Sequence, residues 1–265
     1  MLCTNTPDQA ADLYLEASKI PRSVTQGELA QQHISIGQLF PDTASSKTVI
    51  LEAFDGGSPC LLKVTDEESL SHEMSVWEAI EAGGGASDHH LVPLKKLPFE
   101  RQARVQVGNM SGGHNDRGEF SGGILMQKYQ STLARCKIPL TEEVLLRYGN
   151  QLLTAITKIH ECGYCHMDIK PSNVFLWQGN CLLGDYGGAS RPGEKVREHT
   201  HSYYPDGAGE EAKEETDFLL LAVTLLEMFG CVTSPPGPMT KDGIKSKVAS
   251  VGNEKVKAFL GQLVV

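Results

Sequence analysis

The sequence predicts an α+β chain arranged as two lobes, a small β-rich one followed by a helical one. Three observations lead there: short apolar runs of strand length crowd residues 34–64 and 91–126, helical stripes dominate from about residue 141, and the change of character falls near residues 127–130. The expected division is an N-terminal extension over 1–30, a first lobe over 31–126 and a second over 127–265.

The elements follow in chain order. A short helical pattern lies around residues 10–17 of the extension. Apolar runs at 34–36, 49–53 and 60–64 read as strands, and Asp55-Gly56-Gly57 marks a hairpin between the last two. Leu70, Met74, Trp77 and Ile80 recur at helical spacing over 67–82, and Gly83-Gly84-Gly85 ends that helix. Further strands are expected near 91–97, 103–107 and 123–126, with the Gly- and Asn-rich residues 108–122 as a surface loop. In the second lobe Thr141 is placed to cap a helix whose stripe is Val144, Tyr148, Leu152, Ile156 and Ile159, ending near Gly163. Residues 218–229 are apolar on almost every side, the mark of a buried helix.

Composition narrows the function. With 265 residues and 40% hydrophobic content the chain can bury a substantial core. A formal net charge of −9 argues against a nucleic-acid binder, which needs clustered Lys and Arg. The seven cysteines are scattered; Cys162 and Cys165 form a C-x-x-C with no second pair, so reduced thiols in a cytoplasmic protein are expected rather than a zinc site. No basic-then-apolar leader opens the sequence, and the apolar run at 218–229 is far shorter than the roughly 20 residues of a membrane span. The expectation is a soluble protein with no membrane partner.

Chemistry concentrates in His166-Met167-Asp168-Ile169-Lys170-Pro171-Ser172-Asn173, which sets a carboxylate, an ammonium and an amide at fixed offsets on one loop. Gly184-Asp185-Tyr186-Gly187 follows, with Asp185 twelve residues beyond Asn173. Together they resemble the catalytic loop and metal-binding DFG motif of eukaryotic-type protein kinases, and the loop wording is similar to that of Wee-type kinases. The resemblance runs over about residues 34–229 and implies a protein-kinase-like fold with a shortened C-lobe. It implies ATP and Mg²⁺ as cofactors and a protein hydroxyl as acceptor. Asp168 would orient the acceptor and take its proton, Lys170 would balance charge on the transferring phosphoryl, and Asn173 and Asp185 would give oxygen ligands to Mg²⁺. Lys63, ending the third strand, would meet the phosphates. Its expected partner is Glu73, a carboxylate on the apolar helix face of Leu70 and Trp77 that needs a cation, with Glu81 on nearly the same face as a weaker substitute. Met126, Gln127 and Lys128 resemble the gatekeeper and hinge. Val49, Leu61 and Phe175 complete the implied adenine site, and Asp217 stands where the family ties down the catalytic loop, although a plain helix N-cap reads equally well.

Departures from the pattern set the alternatives. Residues 41–47, where a glycine-rich phosphate loop is expected, hold no glycine, and Leu61 is bulkier than the usual alanine over adenine. Met167 replaces the arginine that reads a phosphorylated activation loop, so switching by phosphorylation of that loop is not expected. Thr200, Tyr203, Pro205 and Asp206 resemble a worn acceptor platform. An active serine/threonine kinase is the favoured reading because every charged group the chemistry needs is kept. A pseudokinase scaffold acting by protein interaction is the alternative, and a small-molecule kinase of the aminoglycoside type is disfavoured by Lys170-Pro171.

Overall fold

The computed structural model describes residues 15–16, 34–39, 48–85, 89–108 and 114–265. Two compact units emerge: Met1–Met74 with Leu94–Lys128, and Ser75–Pro93 with Tyr129–Val265.

The first unit is built on a six-stranded antiparallel sheet, β1 (Leu15–Glu16), β2 (Ile34–Leu39), β3 (Thr48–Asp55), β4 (Ser58–Thr65), β5 (Lys95–Gly108) and β6 (His114–Gln127), in the spatial order β1-β5-β6-β4-β3-β2. β3 and β4 form the expected hairpin. Gly56 and Gly57 both have positive φ, +56° and +87°, the backbone that a two-residue hairpin turn requires and glycine adopts without strain. Alternate residues of β4, Cys60, Leu62 and Val64, are buried, which fixes the register because a one-residue slip would bring Leu61 and Lys63 to the core. β4 passes directly into α1 (Glu67–Ala82), whose first turn is capped by Asp66: its carboxylate accepts from the Ser69 backbone N–H at 2.9 Å and the Ser69 hydroxyl at 3.0 Å.

Three expectations for this part of the chain are corrected. Residues 114–122 are not a loop: they belong to β6, paired along β5 from Gly108↔His114 to Pro98↔Gly122, so the polar composition is that of a hairpin arm. Leu15 and Glu16, expected within a helical pattern, are a strand paired with Arg104 and Val105. The rest of the 10–17 pattern, and the glycine-free residues 41–47, lie outside the described residues. Strand structure expected from residue 91 begins at Lys95, with Leu91 forming only a single bridge to Leu183.

The second unit carries α2 (Glu142–Glu161), α3 (Glu214–Met228), α4 (Lys241–Ala249) and α5 (Glu254–Leu263), with a small sheet of β7 (Ser131–Thr132), β8 (Val174–Trp177) and β9 (Asn180–Leu183). Thr141 caps α2 by accepting from the Val144 N–H at 3.4 Å, and Leu145, Tyr148, Leu152, Ile156 and Ile159 form its buried stripe. α3 is buried continuously from Leu219 to Met228, with Thr224 and Glu227 the two polar residues of that run. No described helix is long and apolar enough to cross a membrane.

Candidate active site

The catalytic-type loop is held from below by α3. Asp217, fully buried, is the fourth residue of that helix and does not cap it. Its carboxylate accepts from the backbone N–H of His166 at 2.7 Å and of Met167 at 2.8 Å, and His160, on the last turn of α2, places Nε2 2.8 Å away. Two turns further along α3, Thr224 donates its hydroxyl to the Ile169 carbonyl at 3.2 Å. Met167 has a positive φ of 64°, a conformation that costs a non-glycine residue energy and that these bonds hold in place. His160 and Thr224 escaped the sequence reading. The signal was there: polar groups on otherwise apolar helix faces must find partners when buried.

Asp168 stands at the centre of this loop. One of its oxygens accepts from Lys170 Nζ at 2.6 Å and from the Asn173 side-chain amide at 3.1 Å; the other accepts the Thr200 backbone N–H at 2.9 Å. Lys170 also donates to the Thr200 hydroxyl at 2.5 Å. The Thr200 hydroxyl thus bonds Lys170, while its N–H serves Asp168.

The twelve-residue interval from Asn173 to Asp185 has a geometric reason. β8 and β9 form a hairpin in the register Val174↔Leu183, which brings the residues flanking it together, and the Gly184 N–H donates to the Asn173 carbonyl at 3.0 Å. Gly184 cannot be larger: a Cβ there would sit 2.7 Å from Val92 and 3.0 Å from Phe175. The donor set beside this junction suits Mg²⁺. Asn173 spends its amide nitrogen on the Asp168 carbonyl (2.9 Å) and carboxylate, while its amide oxygen takes a long contact from the Ser172 hydroxyl at 3.5 Å and is the end suited to a hard cation; Asp185 adds a carboxylate. His160, Cys165 and Asp217 also put ligand atoms within 4.8 Å of one another, but the Asp217 oxygens are committed to the loop backbone and burial pushes the Cys165 thiol up to about 12, so this cluster is a structural joint.

In the first unit, Lys63 of β4 and Glu73 of α1 form an ion pair at 2.8 Å, with the Glu73 side chain only 1% exposed. Glu78 and Glu81, the carboxylates of the second half of this helix, are exposed. Met126 and Gln127 pair in register with Leu61 and Cys60. The Lys128 backbone N–H donates to the Pro59 carbonyl at 3.2 Å and its ammonium pairs with Glu52, so this N–H is engaged and not open for the hinge-type contact that the resemblance implies. Val49 opposes Val64 on the adjacent strand. Phe175, in the second unit, packs its ring on Tyr129 at 5.4 Å. The predicted residues thus gather into two groups, Val49, Leu61, Lys63, Glu73, Met126, Gln127 and Lys128 in one unit and Asp168, Lys170, Asn173, Phe175 and Asp185 in the other.

The segment after Asp185 closes on itself. Val196 and Ala212 donate to the Glu210 and Glu194 carbonyls at 2.8 Å, Lys195 and Glu211 form an antiparallel bridge, and Cys165 and Ser190 exchange backbone hydrogen bonds at 2.8 and 2.9 Å. Met167 is fully buried in an apolar cluster with Cys165, Tyr204 and Ala212, against which Val196 and Ala208 pack. Burial, followed by a hydrogen bond with Glu227, pushes the Tyr203 hydroxyl pKa upward and keeps it neutral.

Known proteins resemble this chain over part or most of its length. The family model for the protein kinase domain matches residues 120–238. Among curated relatives, the Wee1-like protein kinase of Arabidopsis thaliana is 31% identical over 99 residues, covering 36% of this chain and 20% of the relative. The serine/threonine-protein kinase ArnS of Sulfolobus acidocaldarius is 32% identical over 101 residues, 29% of this chain and 16% of the relative. The chain spans a fifth or less of the length of these two relatives. Among solved structures, the Cydia pomonella granulovirus kinase PK-1 superposes with a TM-score of 0.63 at 14% identity, covering 91% of this chain and 90% of its own, a likeness of fold.

Proposed function

We propose that this eukaryotic-type protein kinase catalytic domain is an active phosphotransferase, moving the γ-phosphate of Mg-ATP to a serine or threonine hydroxyl of a protein. The observation that carries the reading is the Asp168 network. A loop Asp, Lys, Asn and Thr hydrogen-bonded to one another within 3.1 Å, and backed by a fully buried carboxylate, has kept the arrangement that chemistry alone needs. A scaffold that only binds partners has no use for an ammonium held at 2.6 Å from a carboxylate on a strained loop.

The roles follow from that arrangement. Asp168 orients the acceptor hydroxyl and takes its proton; holding a nucleophile in line is the larger part of such catalysis. Lys170, shared between Asp168 and Thr200, supplies positive charge to the transferring group and fixes the acceptor side of the loop. Mg²⁺, held by Asn173 and Asp185, would neutralise charge on the phosphates. Lys63 would meet phosphate oxygens, with Glu73 setting its direction. A lysine two residues after the catalytic carboxylate supports a serine or threonine acceptor, as does the name of the Sulfolobus relative.

The test is transfer of radiolabel from γ-labelled ATP to generic protein acceptors by wild type and Asp168→Asn side by side, with thermal stabilisation by saturating Mg-ATP as the binding readout. A folded wild-type chain whose melting temperature does not move and which transfers no label would sink the proposal.

A further inference from the structure

Tyr186 occupies the position at which the DFG wording has phenylalanine, and its hydroxyl makes bonds that a phenyl ring lacks. The ring is fully buried, stacked on Trp77 at 6.3 Å and edge-on to His166 at 6.0 Å. Its hydroxyl donates to the Val92 carbonyl at 3.0 Å, with the Leu183 carbonyl at 3.2 Å sharing the proton. The neighbouring Asp185 sits in the left-handed region, φ 65° and ψ 75°, which a non-glycine residue adopts only when its surroundings insist. Those surroundings are polar on both sides. Upstream, His166 accepts the Asp168 N–H at Nδ1 (3.3 Å), which leaves Nε2 as the protonated nitrogen donating to the Gly184 carbonyl at 3.1 Å. Downstream stands the Tyr186 hydroxyl.

We propose that the Tyr186 hydroxyl is a positioning group for Asp185, fixing Gly184-Asp185-Tyr186 in one arrangement so that the metal-binding carboxylate is in place before the metal arrives. Apolar packing alone holds a ring in a cavity but lets it turn and slide; a hydroxyl bonded to the backbone 94 residues away ties the ring at its tip. If the segment turned Asp185 away, the ring would leave its place, and a buried hydroxyl and the buried Val92 carbonyl would both lose their bond. The single arrangement is therefore favoured by the cost of leaving both unsatisfied. The inference rests on the reading of Asp185 as a metal ligand, and the two are separable by experiment.

The experiment compares wild type with Tyr186→Phe, which keeps the ring. Amide hydrogen exchange is followed without metal or nucleotide, and Mg²⁺ is titrated in the phosphotransfer assay at saturating ATP. The expected result is exchange about tenfold faster confined to residues 184–188, and a several-fold higher Mg²⁺ requirement with kcat at saturating Mg²⁺ nearly unchanged. Unchanged exchange across 184–188 overturns the proposal, and so does faster exchange spread equally over α2 and α3, since the hydroxyl would then serve general stability. If wild type shows no Mg²⁺-dependent transfer, the functional reading falls, while the metal-free exchange still decides whether the hydroxyl fixes the segment.

Discussion

The two units place their charged groups by different means. In the first, an ammonium and a carboxylate meet because a strand and a helix are set side by side; Lys63 and Glu73 owe their 2.8 Å contact to β4 register and to the face of α1. In the second, hardly any regular structure touches the groups proposed to react. Asp168, Lys170 and Asn173 lie on a loop whose shape is dictated by one buried carboxylate, two histidines and a threonine from helices and loop alike. A pair positioned by regular elements tolerates loss of one partner as a local injury. A loop positioned by a buried charge has its weakest point away from the chemistry, at Asp217.

Predictions that break or sharpen this contrast run from large effects to small. Asp168→Asn is expected to lower kcat by about 10²–10⁴, the range for loss of a positioned base, while circular dichroism stays that of wild type. Asp217→Ala should cut transfer by about a hundredfold without touching any reactant, and should also lower stability by about 3–5 kcal/mol, because two loop N–H groups and His160 lose a buried charged partner. A denaturant titration reads the second effect, and an Asp217→Ala protein as stable as wild type would remove the distinction between the units.

Glu73→Gln is expected to raise the KM for ATP about tenfold, the equivalent of about 1.4 kcal/mol of transition-state binding, while Glu81→Gln is silent. The reverse outcome would mean that the partner of Lys63 in the working enzyme lies about two turns further along α1 than the one seen here. A smaller effect concerns pH. The Cys165 thiol, raised by burial from 9.0 to about 12, is more weakly acidic folded than unfolded, so its contribution to stability is complete below pH 9 and declines as pH rises toward 12. Iodoacetamide at pH 8 should leave Cys165 unmodified in the folded protein, with peptide mass spectrometry as the check.

The smallest expected change is none. Dephosphorylation of residues 186–206 should alter activity less than about twofold, because charge pairing is what lets phosphate order such a segment, and here Met167 joins it to Cys165, Tyr204 and Ala212 through apolar contact. Activity measured on one preparation before and after phosphatase tests this; a large, reversible fall would show that Arg191 or Arg197 takes the place of the missing arginine.

Legibility in the sequence followed the range of the interactions. α1 was readable to the residue, since Leu70, Met74, Trp77 and Ile80 and the terminal glycines are all local signals. So was the cap at Thr141. β6 was not: residues 114–122 are strand because β5 lies beside them, and pairing overrides a glycine- and charge-rich composition. In the candidate site the loop residues were evident from their order, and Lys63–Glu73 from a carboxylate stranded on an apolar face. The geometry that sequence left undecided was that of Asp217, cap or tether, since both begin with an acid near a helix start. Only the contact 50 residues away distinguishes them.

The closure of residues 193–212 has a consequence for how the chain meets proteases. A protease draws several residues of substrate into an extended groove, so a cleavable site needs local backbone that can peel away. Here Glu194 and Val196 are clasped to Ala212 and Glu210, and Thr200 is held at Asp168 between them. The exposed Arg197, which composition alone would mark as a tryptic site, lies inside that clasp. Digestion there must await an opening of the clasp, so the rate of nicking at Arg197 is a clock for how often Thr200 leaves Asp168.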